Sequence, residues 1–479
     1  MSDLFGQVQT VAIMLPMPFD GPLDYAVPDG MLVQPGDFVA VEIGARKAVG
    51  VVWGDGEGQI EPSRLKPIIV KLDVPAMRNR MRRFLDRAAE YTMNPPGMML
   101  RLATRVPDLG DPAKTRTLIY RGDGEPDRMT PPRVRVLDAV WAHEDGLTAA
   151  DLAREADVSV GVIKGLIEHG ALIRQEVPVD APYPPIRMHA IGTHLSADQR
   201  QVAEALRNSV AKGTFSATLL YGVTGSGKTE VYLEAVAECI AQGKQALVLL
   251  PEVALTAGFL DRVERRFGVR PAQWHHGVTG AERRRCWHGA ANGSAQLVVG
   301  ARSALFLPFR DLGLIVVDEE HEGSYKQEEM VLYHARDMAV LRASIEGAKI
   351  VLASATPSLE SWANAEAGKY DRLDLPERFG AAVLPDIKLV SLKEYNPGRN
   401  RWISEPLVHA AQARLRQGEQ VLFFLNRRGY APLTLCRNCG HQFGCPFVAV
   451  QSGVRECAMS TGRSNGRATT LPTSSCPMI

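Results

Sequence analysis

The sequence predicts a multidomain α/β protein with a β-rich N-terminal domain and a parallel sheet in its central region. The chain has 479 residues, a length that suits about three or four domains. Near the N-terminus, β-branched runs alternate with Pro, Gly and Asp clusters, as in short strands joined by turns. From Leu195 onward, short apolar runs alternate with longer helical patterns, which favours a parallel sheet with helices on both faces.

Composition and charge indicate folded domains rather than a disordered or membrane-spanning chain. Hydrophobic residues make up 45% of the sequence, which is enough to form cores. The formal net charge is +1, so any binding of nucleic acid must come from local basic patches. The start has no signal-peptide pattern, and no apolar run is long enough to cross a bilayer. We therefore expect a cytoplasmic protein with no membrane partner.

The first predicted domain spans residues 1–108. Its stretch QTVAIMLPMPFDGPLDYAVPDGMLVQPGDFVAVEIGARKAVGVVWG has the strand and turn pattern of a small barrel or a sandwich. The stretch MRNRMRRFLDRAAEYTMNPP that follows is helical in pattern and ends at a pair of prolines, which stop a helix.

The second predicted domain spans residues 109–178. In LTAADLAREADVSVGVIKGLIEHGALIRQ, two short amphipathic helices flank ADVS and a strand-like run follows, which is a winged-helix-like pattern. The alternative is a helical packing module that contacts no DNA. The Pro-rich residues 179–194 are typical of a linker.

The third region, residues 195–375, carries a phosphate-binding pattern. GVTGSGKT follows an apolar strand and precedes a helix, which is the context of a P-loop. Gly222, Gly225 and Gly227 let backbone amides turn towards phosphate oxygens at a helix N-terminus. Lys228 is expected to reach the β- and γ-phosphates, and Thr229 is expected to bind Mg²⁺. The alternative is a chance match in a Gly-rich turn.

A second element, LIVVDEEH, is an apolar strand that ends in acidic residues. Ligands gather at the carboxyl ends of parallel strands. We therefore expect Asp318 to hold Mg²⁺ and Glu319 to activate the attacking water. An acidic strand end alone is more often a solvated helix start, so the prediction depends on the preceding P-loop.

A third element, LASATPS, is another apolar strand, and it ends in small hydroxyl residues. Ser354 and Thr356 could bond to the acidic motif that ends in His321 and relay its state to a nucleic-acid groove. The alternative is an ordinary N-cap or turn before the next helix.

These three elements, in this order, resemble superfamily 2 helicases. The stretches LLPEVALT, HHGVTGAERRRCW, VVGARSALFLPF, DEEHEGSYKQEEMVLYHARDMAV and FLNRRGYAPLTLCRNCGHQFGCP are similar to the PriA family of primosomal replication-restart helicases. LDY, VEIGARKAVGVV and LKPIIVKLD resemble that family's DNA 3′-end-binding domain. The resemblance covers about residues 8–446. It implies a RecA-like P-loop lobe at 195–375 and the start of a second lobe at 376–435.

The resemblance implies an ATP-dependent 3′→5′ DNA helicase that acts in replication restart and primosome assembly at forked DNA. The implied cofactors are ATP and Mg²⁺, with Zn²⁺ in a cysteine-rich insertion. The implied partners are forked and single-stranded DNA, single-strand DNA-binding protein and helicase-loading proteins, with a nucleoid-associated location.

Several site residues are implied by the same resemblance. Gln199 in LSADQ would contact the nucleotide. The segment Tyr325–Arg336 resembles an aromatic-rich loop that couples DNA contact to hydrolysis. Its implied DNA contacts, by stacking on bases or holding phosphates, are Tyr325, Lys326, Gln327, Tyr333 and Arg336. The alternative for this segment is a lid helix with solvated charges.

Further DNA contacts are implied at two other places. Asp24, Gly44 and Lys66 align with the family's pocket for the 3′ end of a nascent strand, although Leu23 stands where the family often has an aromatic residue. Arg302 in GARSA would hold a phosphate. The alternative for Arg302 is a surface salt bridge of little energetic value.

A zinc site begins at residues 436–446. In a chain of this kind, clustered cysteines indicate metal binding more than disulfides. Cys436, Cys439 and Cys445 are spaced as ligands, but Val448 stands where a fourth is expected, and structural zinc takes four. We therefore expect an incomplete site.

The final segment, 447–479, is rich in Ser, Thr, Gly and Arg and shows no periodicity. We interpret it as a frame change or a misassembled end, with a divergent, disordered tail as the alternative. In that interpretation the chain binds nucleotide and forked DNA but hydrolyses ATP poorly, because the family's arginine finger is missing. The competing functional hypotheses are a working helicase, a fork- and 3′-end-binding fragment without an effective motor, and another superfamily 2 translocase.

Overall fold

The computed structural model describes most of the chain up to residue 378 and shorter pieces beyond it. The described residues are 9–58, 64–107, 109, 115–126, 128–143, 146–178, 181–186, 194–251, 254, 256–378, 386–397, 403–424, 434–435 and 442–443. No helix among them is long and apolar enough to cross a membrane.

The N-terminal strands form a small barrel. They are β1 (Thr10–Met14), β2 (Leu23–Ala26), β3 (Phe38–Ile43), β4 (Arg46–Asp55) and β5 (Val70–Lys71), and they pair antiparallel in the order β2-β1-β4-β3-β5. Ala26 at the free edge of β2 exchanges backbone hydrogen bonds with Lys66 and Ile68, just before β5, so the sheet closes on itself. Of the two predicted forms, the barrel is confirmed.

Alternate residues of the barrel strands serve two cores, because side chains alternate across a strand. Val39 and Val52 are buried inside the barrel, whereas Phe38 and Val51 join a core that extends into the P-loop lobe. The helices α1 (Asn79–Thr92) and α2 (Pro96–Ala103) lie between the barrel and that lobe. The predicted helix that ends before the paired prolines is confirmed as α1.

The described residues between 115 and 178 form three helices and a two-stranded antiparallel sheet. The elements are β6 (Thr115–Arg121), α3 (Pro131–Ala142), α4 (Ala149–Glu155), α5 (Val160–Glu168) and β7 (Leu172–Pro178). The two predicted helices and the strand after them are present as α4, α5 and β7. Helix α3 and strand β6 were not predicted, and they complete the arrangement of a winged-helix module.

The central region contains a seven-stranded parallel sheet in the order β10-β11-β9-β12-β15-β8-β16. Its strands are β8 (Ser216–Gly222), β9 (Gln245–Leu249), β10 (Ala272–Trp274), β11 (Leu297–Gly300), β12 (Leu312–Asp318), β15 (Lys349–Ser354) and β16 (Asp371–Leu375). The described helices around it are α6 (Ala197–Ala211), α7 (Lys228–Ala241), α8 (Ala257–Phe267), α9 (Gly280–Asn292), α10 (Ala335–Glu346) and α11 (Leu359–Glu366). The predicted parallel sheet is confirmed.

Strand order places the three predicted motifs side by side. β15 lies between β8 and β12, and Asp318 pairs with Ala353 while Ser354 pairs with Tyr221. The P-loop after β8, the acidic residues after β12 and the hydroxyl residues after β15 therefore meet at one edge of the sheet. A short hairpin of β13 (Lys326–Gln327) and β14 (Tyr333–His334) follows the acidic motif.

Residues 384–479 form a separate unit. Its described elements are α12 (Glu405–Arg416) and the two-residue strands β17 (Thr434–Leu435) and β18 (Gln442–Phe443). The predicted zinc ligands Cys436, Cys439 and Cys445 and the tail 447–479 lie outside the described residues.

Candidate active site

A cavity of about 470 Å³ opens between the P-loop and the end of β12. Gln199, Lys228, Thr229, Asp318 and Glu319 all line it, so the structure brings together side chains that are up to 120 positions apart in the sequence. His194 and Arg262 also line it, and no sequence motif pointed to them.

The P-loop is shaped by two glycines in the left-handed region. Gly225 and Gly227 have φ angles of 83° and 81°, which favour residues without a Cβ. A Cβ on Gly227 would lie 2.4 Å from Gln199 Nε2, so a larger residue would displace that side chain. Helix α7 begins at the next residue, Lys228, directly after the loop that follows β8.

Lys228 is buried and its Nζ donates a hydrogen bond to the Gly222 carbonyl oxygen at 2.8 Å. Gln199 is held on both sides. Its Nε2 donates to the Ser226 carbonyl oxygen at 2.8 Å, and its Oε1 accepts from the Ser196 amide at 2.9 Å in a capping box. Gln199 therefore fixes the P-loop while its side chain borders the cavity.

Asp318 is the last residue of β12, and both of its carboxylate oxygens accept a hydrogen bond. Tyr232 Oη donates to Oδ2 at 2.9 Å, and the Glu319 amide donates to Oδ1 at 3.0 Å. Burial raises the pKa of Asp318 to about 6, because the charged form is poorly solvated there. Tyr232 was not predicted, although it lies four residues after Lys228 on α7, so helical periodicity places both on one face.

The predicted coupling residues form a continuous chain of contacts. Glu319 has a left-handed φ of 46°, and its Oε2 lies 3.6 Å from His321 Nδ1. The same ring nitrogen lies 2.7 Å from Ser354 Oγ, which also accepts from the Thr356 amide at 3.0 Å. The acidic motif and the end of β15 are thereby connected through side chains.

The sequence patterns assigned no role to Glu320, which lies at the centre of a buried polar cluster. Its carboxylate is fully buried and accepts hydrogen bonds from the Ser358 amide at 2.7 Å, Ser358 Oγ at 3.0 Å and Ser361 Oγ at 2.9 Å. Arg336 Nη1 lies 3.3 Å from the same group. This cluster, hereafter the Glu320 cluster, joins the acidic motif to α10 and α11.

Removing the carboxylate in Glu320→Ala should lower the free energy of unfolding by about 3 kcal/mol, because breaking a buried ion pair leaves its partner uncompensated. The matched control is Glu360→Ala, whose exposed carboxylate lies 3.8 Å from the same Arg336 nitrogen and should contribute less than about 1 kcal/mol. Denaturant titration of both variants checks this. Equal losses in the free energy of unfolding would mean that the buried carboxylate of Glu320 stabilises the fold no more than the exposed one of Glu360.

Three of the predicted DNA contacts, Tyr325, Tyr333 and Arg336, are largely buried in the structure. Tyr325 is 1% exposed and its Oη donates to the carbonyl oxygens of Leu249 and Asp318. Tyr333 is 5% exposed and packs edge-on against Phe306. Arg336 belongs to the Glu320 cluster. Most of the surface of these three side chains packs inside the lobe, although Tyr333 borders a cavity of about 430 Å³ beside the hairpin.

Lys326 and Gln327 pair with His334 and Tyr333 in the hairpin, so the segment before α10 is not a lid helix. Lys326 is exposed and pairs with Glu328 at 3.1 Å. Arg302 supports this hairpin, because its Nη1 donates to the carbonyl oxygens of Ser324 and Lys326 at 2.9 Å each.

The three residues predicted for a 3′-end pocket are neighbours on the barrel. Lys66 Nζ donates to the Gly44 carbonyl oxygen at 2.8 Å, and the Lys66 backbone pairs with Ala26, two residues after Asp24. Both Asp24 oxygens accept from backbone amides, those of Glu57 and Gly58.

Comparison with known proteins agrees with this architecture. Residues 196–364 match the DEAD/DEAH box helicase family, and residues 12–105 match the 3′DNA-binding domain (3′BD) family. The replication restart protein PriA of Rickettsia felis is 34% identical over 437 residues, which is 91% of this chain. The chain belongs to the PriA family.

Two further PriA relatives support the assignment. That of Bacillus subtilis is 41% identical over 307 residues, 64% of this chain, and that of Haemophilus influenzae is 34% identical over 452 residues, 92% of this chain. The chain spans 56%, 38% and 61% of the length of these three relatives. Among solved structures, the Hef helicase domain of Pyrococcus furiosus matches 40% of each chain at 16% identity and a TM-score of 0.30.

Proposed function

We propose that this PriA-family chain is an ATP-dependent DNA motor that moves 3′→5′ on forked DNA in replication restart. One observation supports this most directly. The P-loop, with its buried lysine, and the paired acids Asp318 and Glu319 line a single cavity of about 470 Å³. A cationic phosphate cradle opposite a carboxylate pair is the arrangement that nucleoside triphosphate hydrolysis with Mg²⁺ requires.

Each lining residue has a role in this proposal. Lys228 and the first amides of α7 neutralise the phosphates. Thr229 and Asp318 would hold Mg²⁺, which would supply positive charge to offset that of the phosphates. Glu319 orients and deprotonates the attacking water. Gln199 holds the P-loop in place and contacts the nucleotide. The residues fit the ligand, since a buried lysine and two carboxylates line one cavity.

The DNA side of the proposal rests on the 3′BD family match and on the exposed groups near it. Asp24, Gly44 and Lys66 would form the 3′-end pocket, while Lys326 and Gln327 on the hairpin would contact the strand, with Arg302 holding the hairpin. Single-strand DNA-binding protein and helicase-loading proteins are proposed as partners.

The test is phosphate release from ATP by the full chain, with and without forked DNA, in Mg²⁺ and in excess chelator. We expect hydrolysis that needs Mg²⁺ and rises with forked DNA. Fork binding with no hydrolysis would favour a DNA-binding module without an effective motor, and absence of both would contradict the proposal.

Coupling between DNA and hydrolysis should weaken in Ser354→Ala, because His321 loses its hydrogen-bond partner on β15. The stimulation of hydrolysis by forked DNA should fall by roughly 2- to 30-fold, the range of coupling energies of about 0.5–2 kcal/mol. Hydrolysis without DNA should change less.

The control for Ser354→Ala is Ser294→Ala, which also removes a buried hydroxyl but lies away from the cavity. DNA-stimulated rates for both variants decide the point. Equal stimulation in Ser354→Ala and the unsubstituted chain would mean that this contact carries no coupling.

A further inference from the structure

Arg262 lines the cavity beside the P-loop from α8, a helix that packs against α7 in a shared core. Two ion pairs, one helical turn apart, join these helices: Arg262 with Glu230, and Arg266 with Glu234. The side chains of Arg266 and Glu234 are 15% and 13% exposed, whereas those of Arg262 and Glu230 are 48% and 21% exposed and line the cavity. The inner pair therefore serves the packing of the two helices, and the outer pair opens onto the cavity.

The ion pair of Arg262 is a loose one. Its Nε lies 3.6 Å from Glu230 Oε1, which is longer than a hydrogen bond. Among the described residues, Arg262 has no other ion-pair partner. A half-exposed pair of this kind contributes little to stability. Glu230 thus keeps the Arg262 side chain at the cavity and leaves it free to engage a ligand there.

The position of Arg262 around α7 indicates which part of a nucleotide it would meet. An α-helix turns by about 100° per residue, so Tyr232 lies about 40° from Lys228 around the helix axis and Glu230 about 160° from it. Tyr232 donates a hydrogen bond to Asp318, so Lys228 and Tyr232 face the end of β12. The terminal phosphates belong between Lys228 and Asp318. Arg262, paired with Glu230, lies on the other side of the first turn, where the sugar and the base of the same molecule would extend.

The chemistry around Arg262 suits a base more than a further phosphate. The Glu230 carboxylate would repel a phosphate placed against Arg262, because like charges at short range repel each other. It does not repel the neutral ring of a nucleobase. A guanidinium group is planar and stacks on aromatic rings, and the attraction of a cation to a π face strengthens that contact. Leu195, half-buried against the core of the lobe, adds an apolar side chain to the lining of the same cavity.

We propose that Arg262 stacks its guanidinium group on the base of the bound nucleotide, and so holds the base end of the molecule while Lys228 holds its phosphates. This inference rests on the proposed function, in which the cavity takes ATP. It assigns a ligand contact to α8, and it gives Glu230 the role of keeping Arg262 at the edge of the cavity.

The test measures binding of two ligands to the full chain by calorimetry in Mg²⁺: ADP, and ribose 5′-diphosphate, which is ADP without its base. The variants are Arg262→Ala and Arg262→Lys, of which the second keeps a charge that can pair with Glu230 but has no planar group. The control is Arg265→Ala, which removes an exposed arginine of the same helix that does not line the cavity. Thermal unfolding of each variant verifies that it is folded.

In both Arg262 variants we expect the dissociation constant for ADP to rise about 3- to 30-fold, the range of a cation–π contact between exposed and desolvated sites. The dissociation constant for ribose 5′-diphosphate should not change, because that ligand has no ring to stack on. Arg265→Ala should leave the affinity for both ligands unchanged.

An equal loss of affinity for ADP and for ribose 5′-diphosphate would overturn the inference, because Arg262 would then contact the sugar or the phosphates. ADP affinity retained in Arg262→Lys would also overturn it, since a charge without a planar group would then suffice. Unchanged ADP affinity in Arg262→Ala, beside weakened ADP binding in Lys228→Ala, would overturn it and leave the proposed function standing. An unsubstituted chain that binds no ADP would overturn both proposals.

Discussion

Lys228→Ala should reduce ATP hydrolysis by roughly 10²–10³-fold, the cost of removing one preorganised group that stabilises transition-state charge. Lys228 is buried, and its ammonium group is bonded only to the Gly222 carbonyl oxygen among the hydrogen bonds of the described residues. A phosphate oxygen can replace that carbonyl without breaking an ion pair. Alanine removes the charge and leaves the phosphates facing amides alone.

The measurement is steady-state phosphate release in Mg²⁺ and forked DNA, with Lys212→Ala as the control. Lys212 is an exposed lysine at the end of α6 in the same lobe. Its replacement by alanine changes the net charge of the chain by the same amount as Lys228→Ala. We expect the control to keep its rate. Comparable rates in Lys228→Ala and the unsubstituted chain would place hydrolysis at another site or in a contaminant.

Glu319→Gln should lower hydrolysis by roughly 10²–10⁴-fold, the usual contribution of a positioned general base. Glutamine keeps the size of the side chain but cannot accept the proton of the attacking water. Because Asp318 and the P-loop are unchanged, nucleotide binding should be retained. This separation of binding from turnover distinguishes Glu319 from Lys228.

Nucleotide affinity and single-turnover hydrolysis measured on the same preparation check this prediction. The control is Glu264→Gln on α8, whose carboxylate pairs with Arg270 and does not line the cavity. Hydrolysis retained in Glu319→Gln would assign the base to another group. Loss of nucleotide binding would instead give Glu319 a structural role.

Local sequence patterns were sufficient to predict the P-loop and most strands of the central sheet. Five strands are short apolar runs bounded by helical patterns, namely β8, β9, β11, β12 and β15. Their apolar composition predicts burial on both faces of the sheet. Two strands at the sheet edges were missed. β10 is only three residues long, and β16 reads DRLDL, where alternating charge is typical of an exposed edge rather than of a buried strand.

In the segment Tyr325–Arg336, residue type alone does not tell a DNA contact from a buried side chain. Tyr325, Tyr333 and Arg336 have the residue types that stack on bases and hold phosphates, but the same types also fill cores and buried ion pairs. Their partners are distant in sequence: Tyr325 bonds to Leu249, and Tyr333 packs on Phe306. Residue type alone could not distinguish the two uses.

By itself, the sequence predicted the P-loop and the acidic strand end, because both motifs are short, local and attached to apolar strands. Only the tertiary structure decided what surrounds these motifs. Glu320 became a buried anchor, and Arg262 came to line the cavity beside the P-loop, next to Glu230. Such contacts join residues far apart in the chain, and their energies depend on burial and on mutual distance, neither of which a local pattern contains.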